Sequence, residues 1–149
     1  MIRILLVLHL LFFVFSFAFT AGSGILQARV AGTRDAGLIH RFFSMARPFS
    51  LAGGIGWIVT ALLGLMVAMQ AGMPLGQPWL VWSYAAFAVL ILVGFLFHSP
   101  FQKKVIAASA NGPSAELDAL LKSPAGPVGG VVSLLAVIAL VWLMTARLG

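Results

Sequence analysis

Residues 48–72 read Pro-Phe-Ser-Leu-Ala-Gly-Gly-Ile-Gly-Trp-Ile-Val-Thr-Ala-Leu-Leu-Gly-Leu-Met-Val-Ala-Met-Gln-Ala-Gly, an apolar run without one charged residue. Its length meets the roughly 20 residues that cross a bilayer core as a helix. Small residues recur at every fourth position, at Ala52, Gly56, Thr60, Gly64, Ala68 and Gly72. On a helix this spacing cuts a shallow groove in which a second backbone can approach closely. Four steps of about 100° overshoot one turn by about 40°, so the groove winds, and one straight partner follows about three rungs.

Composition extends the same reading to the whole chain. Of 149 residues, 62% are hydrophobic and only 8% are charged. Soluble domains carry roughly 25% charged residues, so this chain cannot clothe a water-facing surface. Four apolar segments account for the deficit, at about residues 2–26, 48–69, 79–97 and 128–146. The sequence therefore predicts a single integral membrane domain over residues 1–149, an all-α membrane protein built as a four-transmembrane-helix antiparallel bundle. The first segment exceeds the 7–15 apolar residues of a signal-peptide core, and bulky Phe19 occupies the −3 position of the best cleavage site, after Ala21. It reads as a retained helix whose aromatic face, from Phe12 to Phe19, suits lipid or the glycine-rich second helix.

Charge sets the orientation. The connections 27–47 and 102–127 hold Arg29, Arg34, Arg41, Arg47, Lys103, Lys104 and Lys122, whereas the opposite side carries Arg3 and Arg147. The positive-inside rule places both long connections in the cytoplasm and both termini outside a bacterial inner membrane. Trp79, Trp82 and Tyr84 open the third segment as interfacial belt residues, and Pro100 follows its end. Pro48 suits a helical first turn. Residues 38–46 have helical spacing and either lie in the interface or extend the second segment. Ser114 caps a short helix with Glu116 and Asp118 in its first turn, its Leu117, Leu120 and Leu121 resting on the membrane surface. Gly126 to Gly130 reads as a turn.

The net charge of +6 does not point to nucleic acid, since the basic residues are scattered and flank apolar segments. Without cysteine, disulfides, thiolate metal sites and thiol nucleophiles are excluded. The central spans hold no Asp, Glu, Lys or Arg, which argues against an ion-coupled transporter or proton channel. No nucleophile–base set, phosphate loop or dinucleotide fingerprint is present.

Histidine remains. His9 lies inside the first segment, as a candidate cofactor ligand or as a neutral imidazole satisfied by a neighbouring carbonyl or hydroxyl. At 1.5 Å per residue it sits about 10 Å below the outer surface, whereas His98 lies about 28 Å below it, so the two cannot share one haem iron. His40 and His98 share a depth at the inner face. Met66 and Met69, with Met73 and Met144 nearby, fall near the depth of His9, a soft set for haem or copper, or simple apolar packing.

Leu8-His9-Leu10, the glycines from Gly53 to Gly64 and the basic run from His98 to Lys104 together resemble an uncharacterised family of small bacterial four-helix membrane proteins, a domain of unknown function. The likeness extends to about Ala108. That family is similar to a superfamily containing copper resistance protein D and the membrane-bound protoporphyrinogen oxidase. Of the oxidase's haem-contacting residues, the resemblance carries over the helix-one histidine, onto His9; the helix-three lysine has no counterpart here. The expected function is a structural or accessory membrane subunit, contacting lipid and a protein partner or a second copy through the small-residue ladder. The alternative is a haem- or copper-binding protein using His9.

Overall fold

The computed structural model describes residues 1–146, so Arg147, one of the two outer-side charges, lies outside the described residues. The elements are α1 (Ile2–Gly32), α2 (Ala36–Gln70), α3 (Pro78–Val93), a π-helical turn (Gly94–His98), α4 (Ser99–Ser109), α5 (Ala115–Lys122) and α6 (Ala125–Ala146). Among the described residues four helical stretches are long and apolar enough to cross a membrane: Ile2–Gly32, Ala36–Gln70, Pro78–Ser109 and Ala115–Ala146. Among the described residues there is no strand.

The helices outrun the apolar segments that mark them. α1 has 31 residues and α2 has 35, so at 1.5 Å per residue they are about 46 and about 52 Å long. A hydrocarbon core is only about 30 Å thick. The surplus lies at one end, around the turn Thr33–Asp35, because at their opposite ends both helices are apolar almost to the last residue, with Arg3 the one charge. There α1 and α2 meet α4 and α5 in a second core. Ala36, Ile39, Phe43, Val105 and Leu117 are buried together, with Leu120 and Leu121 packed against them.

This headpiece revises several sequence expectations. Residues 27–47 form helix on both sides of a three-residue turn, with Asp35 Oδ1 accepting from the Leu38 amide at 3.0 Å as an N-cap. Residues 38–46 extend the second segment, and Pro48 lies inside α2 instead of opening it. Burial of Ile39 and Phe43 carries the helix past the amide bond that proline cannot make. Ser114 caps α5 as expected, its Oγ accepting from the Leu117 amide at 3.1 Å. Leu117, however, is buried in protein and does not rest on a membrane surface.

The other two spans also differ in detail. Pro100 does not end the third segment. It denies Leu96 a helical hydrogen bond, and the chain widens just before it: the Ser99 amide reaches back five residues to the Gly94 carbonyl. α3, the π turn and α4 thus form one rod. Gly126 to Gly130 lie within α6. Gly129 is buried there because the His98 ring occupies the space of a side chain; an added Cβ would stand 3.2 Å from its Cε1.

Inside the bundle, α1 lies along α2 and α3 along α6. Trp57 joins the pairs. It meets Phe13 of α1 edge-on at 5.5 Å and Phe87 of α3 at 6.2 Å, and Leu90, Ala136, Val137 and Leu140 complete the core. Much of the remaining apolar surface faces outward, with Leu11, Ile55, Leu62, Leu135 and Trp142 all exposed. In water such a surface would aggregate; against lipid it is the solvated face. Tyr84 departs from its expected belt role, since its hydroxyl is buried without a partner.

Candidate functional site

The chemistry-bearing side chains gather on one seam between α1 and α2. On α1 the inward positions are His9, Ser16, Thr20, Ser23 and Gln27, at steps of seven, four, three and four as on one helix face. Across from them on α2 stand Gly64, Thr60, Gly56, Gly53 and Ser50, in antiparallel order. A Cβ at Gly53 would meet Thr20 Cγ2 at 2.8 Å, and one at Gly56 would collide with Ser16 Oγ. Ser16 is completely buried yet satisfied, because its hydroxyl donates to the Phe12 carbonyl at 2.6 Å. Thr20 Oγ1 donates to the Ser16 carbonyl at 2.7 Å and accepts from Trp57 Nε1 at 3.4 Å. Small residues on one helix and short hydroxyls on the other let the two backbones approach closely.

The ladder expected on α2 is distributed along this seam. Gly56, Thr60 and Gly64 face α1, three rungs, which is the span a winding groove can offer one straight partner. Ala68 is buried and Ala52 half-buried. Gly72 lies beyond the helix end and serves another purpose. Its φ of +65° is left-handed, its amide returns to Met69 O at 3.1 Å, and the Met73 amide returns to Ala68 O at 3.0 Å. That is a glycine helix stop.

His9 is 6% exposed. Its Nδ1 donates to the Thr60 carbonyl at 2.9 Å, since a carbonyl can only accept and Nδ1 must carry a proton there. The ring lies on Gly64, where an added Cβ would stand 2.9 Å from Cε1. Met66 and Met69 are both exposed. Residue 66 is about 200° around α2 from residue 64, and residue 69 about 140°. The structure does not bring His9, Met66 and Met69 together, so this trio does not fit a haem iron or a copper ion within one chain. Nor do His40 and His98 pair. His40 Nδ1 donates to the Ile106 carbonyl of α4 at 3.0 Å, while His98 packs on Gly129 of α6. Each histidine links two helices.

A family profile described as predicted integral membrane protein (DUF2269) matches residues 3–148. The chain belongs to the DUF2269 family. No curated protein and no solved structure matches it. A DUF2269 protein sits in the lipid bilayer, which is the environment its exposed apolar helix faces require.

The DUF2269 seam ends in a polar knot where the bundle meets the headpiece. Gln102 Nε2 of α4 donates to Gln27 Oε1 of α1 and to Ser50 Oγ of α2, both at 3.0 Å. Gln27 Nε2 reaches the same hydroxyl at 3.3 Å, and Ser50 passes its own proton to the Ala46 carbonyl at 3.2 Å. Gln27 and Gln102 are both buried, so these bonds replace water at three helices at once. Sequence reading misses the knot because its members stand 23, 52 and 75 residues apart. The half-seam on α1 is also passed over in the sequence, although the spacing of Ser16, Thr20, Ser23 and Gln27 is a signal that marks one face of a helix. Among the described residues no group of three or more His, Asp or Glu side chains gathers to hold a metal ion.

Proposed function

We propose that this DUF2269 protein is a non-enzymatic structural or accessory subunit of a bacterial inner membrane, with its headpiece in the cytoplasm and both termini outside. One observation carries the reading: the polar side chains of the seam and knot are consumed by bonds between and within helices, so they build the bundle and do not converge on a cavity. His9, Ser16, Thr20, Thr60, Gln27, Ser50 and Gln102 all bond within the chain. The proposed kinship with the copper resistance protein D and protoporphyrinogen oxidase superfamily is supported by the early helix-one position of His9. No observation favours haem or copper at that residue.

The test uses the full-length protein, gently solubilised from membranes supplied with haem and copper. The expected result is a featureless visible spectrum before and after dithionite, less than stoichiometric copper, and a native assembly larger than the purified chain forms alone. A Soret band or one copper per chain that disappears in His9→Ala overturns the reading. A chain that migrates alone from native membranes removes the subunit role.

Orientation has its own test, made simple by the absence of native cysteine. Gly76→Cys in the short α2–α3 linker is expected to react with an impermeant maleimide in intact cells. Asn111→Cys in the headpiece loop is expected to react only after lysis. The reverse pattern places the headpiece outside.

A further inference from the structure

A second groove lies on the outer side of the α1–α2 pair, away from the α3–α6 core. Gly22 and Leu26 of α1 and Met45, Ala46 and Phe49 of α2 wall a cavity of about 390 Å³. Met45 is 72% exposed and Phe49 54%, so no protein covers it. The groove occupies the level where the apolar segments end and the headpiece begins, and its walls are almost wholly apolar. At its headpiece end stand two exposed arginines. Arg29 follows Leu26 by three residues and Arg41 precedes Met45 by four, so each continues the face of its helix that walls the groove. Asp35 is the sole acidic residue among residues 27–47, and its carboxylate is engaged at the cap of α2.

We propose that this groove is a binding site for one anionic phospholipid, an acyl chain lying along Gly22, Leu26 and Phe49 with its phosphate between Arg29 and Arg41. Charge decides the occupant. A cleft that is apolar at hydrocarbon depth and cationic one turn higher matches a phospholipid end to end. A partner helix laid on the same cleft would have to bury both guanidinium groups, a cost that a lipid phosphate offsets. A zwitterionic lipid brings its own cation to the same place.

The experiment is native mass spectrometry of the full chain in mild detergent, with phosphatidylglycerol and phosphatidylcholine of identical acyl chains offered in equal amounts. The wild type is expected to retain phosphatidylglycerol about tenfold over phosphatidylcholine. Arg29→Gln with Arg41→Gln is expected to remove most of that preference. Gly22→Leu fills the groove, and the fold admits it because an added Cβ meets nothing within 4 Å; it is expected to lower retention of both lipids. Gly24→Leu, equally open and about 200° around α1, is expected to change neither. Equal retention of the two lipids by wild type, an unchanged preference in the double arginine variant, or a protein dimer that Gly22→Leu dissolves would overturn the proposal.

Discussion

Gly56→Leu is expected to separate α1 from α2 and to cost about 3 kcal/mol or more of stability, the upper end of overpacking penalties. The first added carbon already collides with Ser16 Oγ, whose side chain is fully buried and whose hydroxyl is held by the Phe12 carbonyl. Neither backbone can retreat without breaking the neighbouring contact of Gly53 on Thr20 or of His9 on Gly64. The control lies two residues away. An added Cβ at Gly54 meets nothing within 4 Å, so Gly54→Leu should stay within about 0.5 kcal/mol of wild type. Thermal unfolding in detergent compares the two. Equal melting temperatures would mean that the seam does not hold the helices together.

Gln102→Leu should produce the second large effect, confined to one end of the molecule. It removes both donors that Gln102 supplies and leaves Gln27 Oε1 buried without a partner. Stranding a buried polar group costs about 1–3 kcal/mol, and the Ser50 hydroxyl loses an incoming bond as well. Backbone amides of residues 27–47 and 99–109 should exchange faster, while those around Trp57 and Phe87 keep their protection. Adding Gln27→Leu should restore much of the loss, because replacing both partners by apolar groups leaves nothing unpaired. Uniform deprotection of the whole chain by Gln102→Leu would show that headpiece and bundle form one cooperative unit.

How far these features were legible from sequence depends on how local their causes are. The four spans follow from hydropathy alone, since each is a continuous apolar run. Ser114 was legible as a cap because capping acts over three residues. The headpiece was not, because Ala36, Ile39 and Phe43 find their apolar partners at Val105 and Leu117, far along the chain. Seen alone, the charges between residues 27 and 47 look like a solvated connection. Proline misled twice for one reason. At Pro48 and Pro100 the lost amide bond is a local cost, and the packing or widened turn that absorbs it comes from neighbouring structure. His9 stood out from sequence as an ionisable residue inside an apolar run. That its proton goes to Thr60 required knowing the register of two helices.

The π turn at Gly94–His98 sets the phase between the two cores. One residue beyond α-helical count rotates everything after it by about 100° relative to what comes before. Phe87 and Leu90 point into the bundle core above the turn, and Gln102 and Val105 point into the knot and the headpiece core below it. On a straight helix Val105 would follow Phe87 by five whole turns, so the widened turn is what sets the two faces about 100° out of that register. Relaxing it to ordinary helical pitch would turn Gln102 by about 100° relative to Phe87 and draw it off Gln27 and Ser50, so the widened turn is what lets one rod serve both cores.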